Sequence, residues 1–181
     1  MAAFSESRHL GKFLALERLL GLGACAVVMA SCAASPDPTG PSYQAAAIEA
    51  SQNGDQKAAV DLAKKEVARF AAPEQCSKDT RVNCGTLALA YGSLAEYQIL
   101  DGDRAAGESS FRSAKDAIDL TDPKIRPGTV GIVYRDVSEA YWKTGDRARA
   151  IAVFKEGRAA GGDSWLFAAS AATAEKQEAS P

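Results

Sequence analysis

Proton transfer near neutral pH most often falls to histidine, and this chain has a single one, His9. It stands in an amino-terminal stretch that reads as a removable leader. Loss of that leader takes Ser-His-Asp and Cys-His catalysis with it, along with any His-containing zinc site. Carboxylates are what remain. Glu96, Asp136 and Glu139 could supply a glycosidase-like acid pair, but acids on helices are common and a solvated face is the plainer reading. "DGD" and "DLTD" lack the regular spacing of a calcium loop. "GDRAAGES", Gly102 to Ser109, has the glycine spacing of a phosphate-binding loop, yet Glu108 stands where lysine must be and would repel phosphate. The expectation is therefore no catalytic residues, no metal, no cofactor and no nucleotide: a protein that is not an enzyme.

Cysteine chemistry is left. Of four cysteines, Cys76 and Cys84 lie in "CSKDTRVNC", a spacing unlike the Cys-x-x-Cys of zinc ribbons and redox motifs. In an oxidising compartment they form a local disulfide, worth about 2.5 kcal/mol by loop-closure arithmetic. The alternative is two free thiols.

Cys25 and Cys32 belong to a different feature. "LLGLGACAVVMASCAASPDPTG", Leu19 to Gly40, opens on an apolar run too short for the roughly 20 residues of a membrane span. Arg8, Lys12 and Arg18 precede it and small residues close it, as in a secretory signal. Its end resembles the lipobox of bacterial lipoproteins. "LGAC" at Cys25 matches letter for letter but leaves a short apolar core before it. "MASC" at Cys32 has a full apolar core before it and a polar, proline-containing tether after it. The reading is residues 1–31 as lipoprotein signal peptide and Cys32 as the acylated residue. Cys25, or ordinary cleavage after Ala30 or Ala34, stays open. Ala33 in the second mature position implies, through that resemblance, an outer-membrane address on the periplasmic side.

The remainder is slightly acidic, with signs evenly mixed. It carries no basic stripe to draw nucleic acid.

The elements that position these residues announce themselves through three glycine-aspartate turns, "QNGDQ", "LDGDR" and "KTGDR", at Gly54, Gly102 and Gly145. Tyr43, Tyr91 and Tyr134 stand at the same distance before them. In the third unit Tyr134, Val137 and Tyr141 share one helical face, and small Ser138 marks where a neighbour comes close. Ala150, Phe154 and Gly157 continue on a second helix. A turn this short makes the pair antiparallel.

This resembles the tetratricopeptide repeat (TPR). The second unit matches through Tyr91, Leu94, Ala95, Gly102, Phe111 and Ala114. It departs at Gln98, where tyrosine is usual, and at Gly107, where alanine is usual. The first unit is weakest, with Ala63 in the aromatic position. The resemblance implies an all-α fold: antiparallel helix pairs stacked as a short right-handed solenoid of about six helices, with a C-terminal capping helix.

The corresponding boundaries are a tether over 32–41 and a domain over 42–176. Its units lie near 42–72, 86–120 and 129–160. A capping helix over 163–176, started by Asp163 or Ser164, and a disordered tail over 177–181 follow. Between the second and third units Pro123 and Pro127 forbid helix between them.

In TPR proteins the first helix of each pair lines a peptide-binding groove. Carried over, this places Leu89, Glu96, Ile99, Ile132, Arg135, Glu139, Trp142 and Lys143 on that groove. Trp142 packing against Trp165 or another part of the capping helix is the competing reading. The function implied is a lipid-anchored adaptor or assembly scaffold that binds a protein or peptide in the cell envelope. A non-catalytic regulator of cell-wall enzymes is the alternative, and a hydrolase using carboxylates alone a remote one.

Overall fold

The computed structural model describes residues 40–178. The expected signal peptide, Cys25, Cys32, most of the expected tether and the last three residues lie outside them. Among the described residues the secondary structure is all helical: α1 Gln44–Gln52, α2 Gln56–Phe70, α3 Cys84–Leu100, α4 Arg104–Leu120, α5 Arg126–Lys143, α6 Arg147–Ala159 and α7 Ser170–Glu178, with a single 3-10 turn at Leu166–Ala168.

The three glycine-aspartate turns share one geometry. Gly54, Gly102 and Gly145 have φ of 82°, 90° and 84°, a left-handed backbone that glycine adopts without strain. Each next residue, Asp55, Asp103 and Asp146, donates its N–H back to Ala50, Gln98 and Tyr141, all at 2.9 Å. This closes the outgoing helix in a Schellman arrangement. The same aspartates then cap the incoming helix, accepting from the N–H groups of Ala58, Ala106 and Arg149. Two residues thus end one helix and start another, and α1–α2, α3–α4 and α5–α6 each fold back as a pair.

Successive pairs bury their apolar faces on one another. Helix α3 packs against α2, α4 and α5, and α5 against α6 and α7. Ile99, Phe111, Val137, Tyr141 and Phe154 form the centre of this core. Phe111 and Tyr134 meet edge to face, centroids 5.0 Å apart, a geometry that adds to area burial. Close approach follows the small residues. Buried Ser138 donates to the carbonyl of Ala150 at 3.0 Å. A Cβ on Gly157 would stand 2.6 Å from that of Tyr134.

Both departures in the second unit have a structural reason. Gln98 is buried and accepts from Ser110 Oγ at 2.6 Å. Gly107 leaves room for Ile99, whose Cγ1 would sit 2.5 Å from an added Cβ. Glu108, from the phosphate-loop look-alike, accepts from Tyr141 at 2.6 Å and from Arg149 at 2.8 and 2.9 Å. Arg149 foremost holds its carboxyl below the usual range.

Cys76 and Cys84 are bonded, with sulfurs 2.07 Å apart. They tie the α2–α3 connection to the first residue of α3.

Three expected boundaries move. Helix α5 begins at Arg126, with Pro127 in its first turn, where proline's missing N–H leaves no bond unmade. The closing helix begins at Ser170 rather than near Asp163. Ala169 is extended, with ψ of 141°, and Asp163 accepts locally from the Trp165 N–H. The stretch between buries Leu166 completely. At the far end α7 runs to Glu178, beyond the expected start of the tail.

At the amino end Glu66 and Arg69, both buried, pair at 2.9 Å. Glu66 also accepts from Ser42 Oγ and the Tyr43 N–H, while Arg69 donates to the Gly40 carbonyl. Burial pushes the Glu66 carboxyl up, and these donors together outweigh it and hold the group below its ordinary range. The pair anchors the chain where it enters the first helix.

Candidate functional cleft

An open cleft of about 480 Å³ lies where the first helices of all three pairs face one another. Helix α1 contributes Gln44, Ile48 and Gln52, a stripe at four-residue intervals that lies on one face. Helix α3 contributes Ser93, Glu96, Tyr97 and Leu100. Ile132, Arg135, Asp136 and Lys143 come from α5. Helix spacing gathers most of these residues onto one face of each helix, and the packing of α1, α3 and α5 brings those faces together.

The polar groups of the cleft are unequal in their satisfaction. Arg135 holds Asp136 through its Nε at 2.8 Å and its terminal nitrogen at 2.7 Å. Asp136 is nonetheless pushed above the ordinary aspartate range, because burial outweighs the guanidinium. Glu96 accepts no hydrogen bond from any described residue. Burial foremost, then the charge of Asp136, raises it to about 7, against the opposing pull of Lys143 and Arg135. Near neutrality the cleft therefore holds a carboxyl that is part acid and part carboxylate. Among the described residues no group of three or more His, Cys, Asp or Glu is placed to hold a metal ion.

Of the eight expected groove residues, Glu96, Ile132, Arg135 and Lys143 line this cleft together. Four do not. Ile99 is fully buried and fills the gap over Gly107 between α3 and α4, so it belongs to the core. Leu89, a turn before Ser93, is half-buried against the core and off the cleft lining. Glu139 reaches the other way and accepts from both the N–H and the hydroxyl of Ser170.

Trp142 faces α7 across a separate hollow of about 430 Å³ that Ile151 and Ala174 also line. The guanidinium of Arg147 lies 5.0 Å from its ring centroid. The competing reading, contact toward the closing helix, thus describes Trp142 better than the groove does. Its partner is not Trp165, which lies against Arg135 at 5.9 Å.

The lining residues missed were the whole contribution of α1 and α2 (Gln44, Ile48, Ser51, Gln52 and Gln56), together with Ser93, Tyr97, Leu100 and Asp136. The stripe on α1 was visible as four-residue spacing. Tyr97 carried no such signal, because a tyrosine at a helix end is as often core as lining.

No protein-family model, curated protein or solved structure matches this chain.

Proposed function

We propose that the protein is a lipid-anchored adaptor of the bacterial cell envelope that binds a peptide segment of another protein in the α1–α3–α5 cleft. The carrying observation is that one helix from every pair contributes to a single open concavity of mixed charge with apolar walls. Concavity across stacked helix pairs is the binding geometry of TPR-like right-handed solenoids. The repeated glycine-aspartate junctions support that architecture. The Cys76–Cys84 bond suits an oxidising compartment, in keeping with export. Acylation at Cys32 with Ala33 following would place the domain on the periplasmic face of the outer membrane, on a tether running up to the Glu66–Arg69 anchor.

In-cell photo-crosslinking tests the reading. A benzoylphenylalanine replacing Gln52 or Ile132 in the cleft should capture a discrete partner, and one replacing exposed Arg112 on α4 should not. Equal capture from all three positions, or none, rejects the cleft as the binding surface. Labelled palmitate incorporated by a Cys32→Ala variant would reject the anchor assignment separately.

The alternative of carboxylate hydrolysis has one observation in its favour. A carboxyl raised to about 7 suits a general acid. Asp136, committed to Arg135, is a poor second carboxylate for it. Release of soluble fragments from murein by the purified protein, abolished by Glu96→Gln, would establish hydrolysis in place of the adaptor.

A further inference from the structure

The two ends of the Cys76–Cys84 bond have unequal surroundings. Cys84, the first residue of α3, is fully buried. Cys76, in the α2–α3 connection, is only half-buried and lines an open hollow of about 250 Å³ between α3 and α4. Leu87, Tyr91 and Leu120 give that hollow apolar walls, and Asp116 is the one charged residue of its lining. The hollow shares no lining residue with the α1–α3–α5 cleft. One cysteine of the pair therefore borders space open to a small molecule, and the other does not.

We propose that this bond is a reversible thiol-exchange site, entered through the hollow, at which a small thiol becomes joined to Cys76. An attacking thiolate must reach one of the two sulfurs, so access decides which is taken. The thiolate forms a new S–S bond to Cys76. The Cys76–Cys84 bond breaks with its electron pair on the Cys84 sulfur, which then takes up a proton from water. One disulfide and one thiol become another disulfide and another thiol, with no net oxidation or reduction. The released Cys84 thiol has the Thr80 carbonyl 4.0 Å away to donate to.

The connection has a frame of its own besides the bridge. The Asn83 N–H donates to the Gln75 carbonyl at 2.9 Å, and the two side-chain amides bond each other. The Ser77 N–H donates to the Thr80 carbonyl, and the Thr80 N–H to the Ser77 hydroxyl. These bonds keep the Cys84 thiol beside the sulfur it left. Its attack on the mixed disulfide then expels the small thiol and restores the bond, so Cys84 serves as the resolving cysteine. Asp116 disfavours a thiol that carries a negative charge, so the occupant is neutral or cationic. Lys78 and Arg81 are exposed on the same connection, and neither lines the hollow. The inference goes beyond the adaptor reading and does not depend on it.

Exchange with cysteamine tests it. The full-length chain in detergent micelles, its bond intact, is incubated with cysteamine, quenched in acid, unfolded and alkylated. The peptides holding Cys76 and Cys84 are then mapped by mass spectrometry. Cysteamine should sit on Cys76 and the alkyl group on Cys84, in about tenfold excess over the reverse arrangement. Removing free cysteamine before the quench should clear the adduct and return the original bond. Mercaptoacetate, corrected for thiolate fraction and nucleophilicity, should react more slowly than cysteamine. Asp116→Asn, at an exposed position, should narrow that difference.

Adducts shared evenly between the two cysteines, or found mainly on Cys84, overturn the proposal. So does a bond that resists cysteamine in the folded protein and exchanges only after unfolding. A cysteamine preference that Asp116→Asn leaves unchanged overturns entry through the hollow. Crosslinking from Gln52 and Ile132 reads a different face, so the adaptor reading stands or falls separately.

Discussion

Glu139, in the middle of α5, accepts from both the backbone N–H and the hydroxyl of Ser170, the first residue of α7. A side chain from one helix thus caps another remote in sequence. Glu175 on α7 completes the attachment by pairing with Arg158 on α6 at 2.6 Å. Loss of a cap costs about 0.5–2 kcal/mol. Glu139→Ala should lower stability by about that amount. Hydrogen exchange should quicken at the α7 amides of Ala171 and Ala172 while α3 stays protected. Unchanged exchange in α7 would show that Glu139 holds nothing.

Glu96 predicts a pH dependence whose sign is opposite to that of a salt-bridged acid. Its folded pKa, about 7, lies above the ordinary glutamate value of 4.5. The folded state therefore holds its proton more tightly, and the stabilisation is complete below pH 4.5 and is lost as pH rises through 7. Glu96→Gln removes a group that is costly when charged. The variant should exceed the parent in stability at pH 8 by roughly 1–3 kcal/mol and match it near pH 4. Urea titrations at the two pH values decide it.

At Gly107 the alanine usual in the tetratricopeptide pattern would fit poorly. Gly107→Ala follows the consensus and raises helix propensity, yet the new methyl would crowd Ile99 Cγ1. The net effect should be destabilising by about 1–3 kcal/mol. The penalty should shrink when Ile99 is also alanine, which a double-mutant cycle measures directly. A stabilised single variant would mean that Ile99 moves aside freely.

The Cys76–Cys84 bond makes a covalent prediction. Intact mass of the domain should rise by two hydrogens on reduction. Cys76→Ser with Cys84→Ser should cost about 2–3 kcal/mol through the freed loop. The helices should remain, because Phe111, Tyr141 and Phe154 are buried between helix pairs that the bridge does not join. A helical signal lost together with the disulfide would give the bridge a larger role.

Local chemistry made much of this fold legible. A glycine in the left-handed region followed by an aspartate cap is a two-residue instruction, so Gly54, Gly102 and Gly145 marked the hairpins from sequence alone. Tyr134, Val137 and Tyr141 declared their face by spacing, and Ser138 its close contact, because a helix has a fixed period. Cys76 and Cys84 needed only nearness along the chain.

Direction around the helix was harder to read. Ile99 and Glu96 are one turn apart on α3, yet one fills the space over Gly107 and the other opens into the cleft. Glu139 and Asp136 sit on α5, a turn apart, and serve a remote helix cap and an ion pair. Those assignments depend on which helix arrives beside each residue, and at what distance. The sequence by itself determined the three places where a helix turns back on its predecessor, since bonds among near neighbours settle that. Only the packing of α1, α3 and α5 against one another decided that Glu96, Ile132, Arg135 and Lys143 line one cleft while Ile99 enters the core, because burial and exposure are properties of the assembled neighbourhood.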